Sequence, residues 1–131
     1  MNLLFIGAPD AQPFIEPIMA RLRVLDHECF THEQRLKQAR LGTPIVRVLE
    51  AIVESADAVI VFASPNFHSD AHALWLLDLA TAQGNLVAIV PPWEKQVSMP
   101  ANFFSGSLLI ATKKDHKKIA KLILEALQKL S

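Results

Sequence analysis

The sequence is poor in several residue types, and each shortage excludes a class of protein. Its single cysteine, Cys29, cannot form an internal disulfide or a zinc site made of four thiolates. Lysine plus arginine and aspartate plus glutamate each total 13, so the basic excess typical of nucleic-acid binding is missing. Only four glycines are present, and none lies in a GxGxxG or P-loop pattern. Nucleic-acid partners, the ordinary dinucleotide-binding fold and P-loop nucleotide hydrolysis are therefore excluded.

Long apolar stretches are also missing. No run approaches the roughly 18 residues that a membrane span needs. Residues 1–10 lack the positive start and the long apolar stretch of a signal peptide. We therefore expect a cytoplasmic protein with no membrane partner.

The sequence does contain enough apolar residues for one core. Hydrophobic residues make up 51% and charged residues 20% of the 131 positions, which excludes disorder and favours one domain over residues 1–131. The zero net charge also weakens repulsion between copies, so self-association is expected.

Short apolar runs alternate with amphipathic stretches along the whole chain. The runs predict strands at residues 3–6, 28–31, 58–63, 86–90 and 107–111. The amphipathic stretches predict helices at residues 14–25, 44–55, 70–83 and 115–130. Pro13 and Pro17 are predicted to confine the regular part of the first helix mainly to residues after Glu16, and the second helix has Thr43 as its predicted N-cap and Pro44 as its first helical residue. Residues 32–42 are polar and unpatterned and are predicted to form a long loop, and a short turn is predicted near residues 99–104.

This alternation predicts a three-layer α/β fold with an open, five-stranded parallel sheet of flavodoxin-like order 2-1-3-4-5. Such sheets bind ligands beyond the carboxyl ends of strands 1 and 3, where the strand order reverses. Residues 7–10 and 64–70 would build that crevice. The polar side chains predicted to contact a ligand there are those of Asp10, Ser64, Asn66 and Asp70.

Several other histidine, cysteine and tryptophan residues are predicted to have structural rather than chemical roles. His68 and His72 are four positions apart, but His68 precedes the predicted helix and no HExxH pattern is present, so no metal site is expected. Cys29 is predicted to be a buried, inert thiol because no base lies near it in sequence. Trp75 and Trp93 are predicted to pack rather than to stack on a ligand.

Several ordered segments resemble a Toll/interleukin-1 receptor (TIR) domain. Residues 5–10, FIGAPD, resemble the first box of that family. Residues 51–55, AIVES, and residues 59–67, VIVFASPNF, resemble its AIxxS…VIVxLSPNY segment. Residues 32–45 resemble its BB loop. The resemblance, strongest over residues 5–80, implies a single TIR-like α/β domain with an interaction loop that contains Gly42, Thr43 and Pro44.

TIR domains act as homotypic interaction modules or as enzymes that cleave the nicotinamide–ribose bond of NAD. The enzymes use a glutamate on the third helix, in a pattern like SxWCxxEL, and the alignment places Leu76 at that glutamate. Asp78 lies two residues further on, about 200° around the helix, and would face away from the crevice. A second resemblance, to nucleoside 2-deoxyribosyltransferases, rests on residues 56–60, ADAVI, and 80–84, ATAQG. It also places the nucleophilic glutamate at Leu76.

Leucine can neither stabilise nor capture an oxocarbenium-like state. The first hypothesis is therefore a TIR-like signalling module without NAD-cleaving activity. It would need no cofactor and would bind a second copy or another TIR-like domain. One alternative is a protein that binds NAD, ADP-ribose or a nucleoside. Another is an NAD glycohydrolase or deoxyribosyltransferase-like enzyme with a displaced acid, such as Asp78 or Asp70. The last is a flavodoxin-like domain that shares only the fold.

Overall fold

The computed structural model describes residues 1–84, 86–90, 107–110 and 116–130. Their strands are β1 (Asn2–Ile6), β2 (Glu28–Thr31), β3 (Ala58–Phe62), β4 (Leu86–Val90) and β5 (Ser107–Ile110). Their α-helices are α1 (Gln12–Val24), α2 (His32–Gln38), α3 (Ile45–Glu54), α4 (Ala71–Gln83) and α5 (His116–Leu130). Single 3₁₀ turns at Pro9–Ala11 and Phe67–Ser69 follow β1 and β3 in the chain. Strands and helices alternate, so the predicted α/β class is confirmed.

The strands form a parallel sheet in the order β2-β1-β3-β4-β5. Leu4 of β1 lies between Phe30 of β2 and Val59 of β3. On the other side of β3, Val59 is paired with Leu86 of β4 along the backbone, and Val87 is paired with Ser107 of β5. The predicted parallel sheet with helices is confirmed.

Both faces of the sheet are buried at β1 and β3. Leu3, Phe5 and Phe62 belong to a core cluster shared with α1 and α5. Leu4 and Val61 belong to a second cluster shared with α3 and α4. Strands covered on both faces need apolar residues at successive positions, which is why residues 3–6 of β1 and all of β3 are apolar. None of the described helices has both the length and the apolar content needed to cross a bilayer.

The prediction that proline confines the first helix to residues after Glu16 is wrong. Helix α1 begins at Gln12, contains Pro17 and buries Phe14 and Ile15 before the predicted regular part. Pro17 has no N–H to donate to the carbonyl of Pro13, one turn earlier. Because Pro13 is exposed, water can satisfy that carbonyl. Burial of the apolar side chains in the first turns therefore outweighs the lost hydrogen bond.

The prediction of one long loop over residues 32–42 is also wrong. Residues 32–38 form α2, which follows β2 without a connecting residue. Its first turn is closed by a capping box: the Gln34 N–H donates to Thr31 Oγ1 at 3.3 Å, and the Thr31 N–H donates to Gln34 Oε1 at 3.1 Å. The T-x-x-Q pattern is the sequence signal for this helix start. The loop therefore contains only residues 39–44.

The predicted boundaries of the next two helices agree more closely. Helix α3 begins at Ile45, and Pro44, with ψ of 135°, is its N-cap rather than its first helical residue. No side chain caps α3, so the predicted capping role of Thr43 is wrong. Asp70 caps α4, and Gly84, with φ of 75°, ends it. The turn predicted near residues 99–104 and Trp93 lie outside the described residues.

Candidate functional site

A cleft of about 590 Å³ lies beyond the carboxyl ends of β1 and β3, where the strand order reverses. Its lining is formed by residues that follow these two strands: Pro9, Asn66, Ser69, Asp70, Ala71 and His72. Two of the four residues predicted to contact a ligand, Asn66 and Asp70, therefore lie in the cleft wall. A ligand-binding role for them stays a prediction.

The other two predicted residues, Asp10 and Ser64, connect the loops that build the cleft. The hydroxyl of Ser64, which is fully buried, donates to Asp10 Oδ1 at 2.6 Å. The backbone N–H of Asn66 donates to Asp10 Oδ2 at 3.2 Å. Both carboxylate oxygens thus hold the loop after β3 against the loop after β1. A ligand-binding role for Asp10 and Ser64 stays a prediction.

Gly7 allows this edge of the sheet to be compact. A Cβ atom at Gly7 would lie 2.6 Å from Cδ1 of Ile15 and 3.2 Å from Cβ of Ala11. A side chain at this position would force the end of the Ile15 side chain into another rotamer and would shift Ala11 by a few tenths of an ångström. Glycine here therefore allows the turn after β1 and the start of α1 to pack closely.

Asp70 has two contacts on different elements. Its Oδ1 accepts from the Ala73 N–H at 3.0 Å, which caps α4. Its Oδ2 lies 3.9 Å from Nε2 of His32, the first residue of α2. The side chain of His32 is only 2% exposed. Burial lowers the pKa of His32, and the carboxylate of Asp70 partly opposes that effect. His32 was not predicted as a site residue, because residues 32–42 were predicted to form a loop.

The position that the two resemblances assign to a catalytic glutamate is part of the core. Leu76 is a residue of α4, and its side chain is fully buried in the cluster that also contains Leu4 and Val61. Asp78 is exposed on α4, and it is not among the described residues that line the cleft. Trp75 is 39% exposed on the same helix. The two acids proposed for a displaced catalytic role lie elsewhere: Asp70 is the N-cap of α4, and Asp78 is on the exposed side of that helix, whereas Leu76 faces the core.

The interaction loop has an exposed surface of mixed character. Gly42, Thr43 and Pro44 are exposed, and Gly42 adopts a φ of 89° that favours glycine. Leu41 is fully exposed, and the side chains of Ile45 and Val46, in the first turn of α3, are 44% and 36% exposed. A groove of about 430 Å³ between α2 and α3 borders this loop, and its lining includes three arginines: Arg35, Arg40 and Arg47.

Cys29 agrees with the prediction of an inert thiol. It lies on β2, is 7% exposed, and its Sγ is 3.9 Å from the carbonyl oxygen of His27. Burial raises the pKa of the Cys29 thiol to about 11, although the positive charge of Arg23 partly opposes this. A thiol with so little thiolate near neutral pH is a poor nucleophile.

Comparison with known proteins shows likeness of structure only. No protein-family model and no curated protein sequence matches the chain. The TIR domain of the Toll-related receptor TRR-2 from Hydra magnipapillata superposes with a TM-score of 0.72 at 14% identity, covering 96% of this chain and 97% of that domain. The SEFIR domain of interleukin-17 receptor B gives a TM-score of 0.65 at 12% identity, covering 98% and 97%.

An enzyme structure superposes comparably well. The 2-deoxyribosyltransferase of Bacillus psychrosaccharolyticus gives a TM-score of 0.66 at 14% identity, covering 97% of this chain and 96% of the enzyme. At these identities the likeness concerns the fold and does not transfer an activity. The resemblance predicted from the sequence is confirmed at that level: the chain has the fold shared by TIR domains, SEFIR domains and 2-deoxyribosyltransferases.

Proposed function

We propose that this chain is a TIR-like signalling module that acts by binding a second copy of itself or another TIR-like domain. The observation that carries the proposal is the exposure of Leu41, Ile45 and Val46 at one end of α3. Single exposed apolar residues are common, but apolar side chains grouped on one surface indicate an interaction site. A partner that covered them would gain about 25 cal/mol for each Å² of apolar area removed from water.

The neighbouring groove supplies specificity to this surface. Arg35, Arg40 and Arg47 present guanidinium groups that suit carboxylates on a partner. Arg35 is held in part by the ring of Phe30, whose centroid lies 4.2 Å from its Cζ atom. A second copy would not be repelled at long range, because the chain has no net charge. The surface therefore suits a partner with an apolar centre and acidic residues beside it.

The proposal includes the absence of NAD-cleaving activity. A buried leucine at position 76 supports it, because cleavage of a glycosidic bond needs a carboxylate that reaches the sugar. The complete flavodoxin-like order 2-1-3-4-5 is also part of the proposal, supported by the backbone pairing of β4 with β3 and of β5 with β4. A cytoplasmic location is proposed as well, on the strength of the single reduced, buried cysteine.

Sedimentation velocity over a wide range of protein concentrations tests the interaction surface. We expect the average sedimentation coefficient of the parent protein to rise with concentration. Val46→Glu and Leu41→Ser should weaken self-association by at least about tenfold, equivalent to 1.4 kcal/mol. Val24→Ser is the matched control, because Val24 is 82% exposed at the end of α1, away from the loop. A protein that stays monomeric at high micromolar concentration, alone and with candidate TIR-like partners, would contradict the proposal.

A second candidate function is the binding of NAD, ADP-ribose or a nucleoside in the cleft. The observation that favours it is the cleft itself, since about 590 Å³ lies within the range of small-molecule sites and its wall carries Asn66, Ser69 and Asp70. A concentration-dependent rise in Tm with one of these ligands, reduced in Asn66→Ala, would support it. No rise at millimolar ligand would exclude it.

Incubation with NAD, followed by chromatography of nicotinamide, separates binding from catalysis. The proposed module releases no nicotinamide at high protein concentration, whereas an active TIR enzyme run alongside does. Release by the parent protein that disappears in Asp78→Asn would instead indicate an enzyme with a displaced acid.

A further inference from the structure

Three metal-ligating side chains meet where α2 and α4 begin. They are His32 and Glu33, the first two residues of α2, and Asp70, the N-cap of α4. One ligand atom from each residue lies within 4.8 Å of the other two. Coordination at the usual bond lengths of about 2.0–2.2 Å would need these atoms to approach by roughly 1 Å. A rotation of the exposed Glu33 side chain allows much of that movement.

The hydrogen bonds of the fold do not account for this arrangement. The distance of 3.9 Å between His32 Nε2 and Asp70 Oδ2 is too long for a hydrogen bond. Nδ1 of His32 is buried and has no hydrogen bond of good geometry among the described residues, but an interaction with the backbone of Phe5 raises the pKa of the imidazole against the effect of burial. The nitrogen that faces Asp70 is Nε2, and a further group bound there would lower the cost of burying an imidazole whose side chain is 98% buried.

We propose that His32, Glu33 and Asp70 form a binding site for a divalent transition-metal ion of the zinc class. One imidazole nitrogen and two carboxylate oxygens suit zinc and its first-row neighbours, whereas magnesium and calcium prefer oxygen ligands alone. The two carboxylates balance the charge of the ion. Three protein ligands leave a coordination position for water or for a group of another molecule.

The site has separate rigid and adjustable parts. Asp70 Oδ1 stays on the Ala73 N–H, so only Oδ2 is needed for the ion. The backbone of His32 continues directly from β2, which fixes its position at the edge of the sheet.

The spacing of histidines in the sequence predicted no metal site. The inference departs from that expectation because the ligands come from two helices that only the fold brings together.

Titration of the full chain with Zn²⁺, in competition with a chromophoric chelator, tests the proposal. We expect one ion per chain and a Kd at least about tenfold weaker in Glu33→Gln and in Asp70→Asn. Both variants should fold, since Glu33 is exposed and asparagine is as good an N-cap as aspartate. Binding of Co²⁺ gives a second readout, because its visible spectrum reports nitrogen and oxygen ligands. Excess Mg²⁺ should not displace either ion.

His72→Gln is the matched control, because His72 is an exposed histidine in the first turn of α4 that is outside the cluster. Its affinity for Zn²⁺ should equal that of the parent protein. Equal affinity in Glu33→Gln, Asp70→Asn and the parent would overturn the proposal. Loss of binding in His72→Gln alone would also overturn it. So would a parent protein whose affinity for Zn²⁺ is too low to compete measurably with the chelator.

Discussion

Asp10 has two hydrogen bonds to a part of the chain far from it in sequence, and Ser64 is fully buried beside it. Asp10→Ala should lower the free energy of unfolding by about 1–3 kcal/mol, because the Ser64 hydroxyl then has no acceptor. Removing that hydroxyl as well, in Asp10→Ala/Ser64→Ala, should add little further loss. Urea denaturation of the two single variants and the double variant measures this difference. Additive losses would mean that the two side chains do not act as a pair.

The thiol of Cys29 provides a second test at the residue scale. With a pKa of about 11, roughly one thiol in a thousand is ionised at pH 8. Iodoacetamide should therefore modify the native protein far more slowly than the protein in urea, where the thiol is exposed and more acidic. Mass spectrometry over time measures both rates. Equal rates would show that the β2 edge opens readily or that burial does not hold the thiol protonated.

The site could be predicted in part from single residues. Asp10, Ser64 and Asn66 follow strands whose carboxyl ends meet in a parallel sheet of this kind, so topology alone brings them together. His32 could not be found in that way. Its approach to Asp70 depends on α2 starting directly after β2, and no helix was predicted there.

At the scale of elements, the capping box of α2 predicts a specific weakness. Thr31→Val keeps the shape of the side chain but removes the hydroxyl that accepts from the Gln34 N–H. We expect a loss of about 1 kcal/mol in the free energy of unfolding and faster hydrogen exchange at the Gln34 amide. Thr31→Ser, which keeps the hydroxyl as a cap, should lose less. Unchanged exchange in Thr31→Val would mean that packing alone holds this helix.

Some strands and helices could be predicted from the sequence and others could not, for physical reasons. The strands β1 and β3 were evident because burial on both faces leaves no polar position in residues 3–6 of β1 or in β3. Helix α2 was missed because it is short and has no apolar stripe, with Leu36 only partly buried and His32 its one buried residue. The start of α1 was missed because tertiary packing of Phe14 and Ile15 outweighs the local cost of proline.

The interaction loop can be tested through its backbone conformation. Gly42 and Gly84 both have positive φ, of 89° and 75°, and a Cβ atom would contact nothing within 4 Å at either position. Alanine at each should therefore cost a similar amount of stability, about 1 kcal/mol. Only Gly42→Ala should also weaken self-association, because it changes the shape of the loop. Sedimentation velocity decides, and equal effects on association would exclude a special role for the loop.

At the scale of the whole molecule, the candidate sites lie in two neighbouring regions. The carboxyl ends of β1, β2 and β3 collect the cleft, the Asp10 hydrogen bonds and the cluster of His32, Glu33 and Asp70. The proposed interaction surface lies on the side of α2 and α3. A partner and a small ligand could therefore bind at the same time, with α2 in contact with both regions. Ligand binding in the cleft should then change affinity for a partner through α2, or through α4, which packs against α3.

The hydrogen bond from the Asn66 backbone to Asp10 has a consequence for measuring motion. Asn66 is exposed, yet its amide proton is held by the carboxylate of Asp10, in the loop after β1. That proton should exchange with solvent only when the two loops separate. The hydrogen-exchange rate of the Asn66 amide in the parent protein therefore reports how often the cleft opens. NMR measures this rate without a label, a ligand or a substitution.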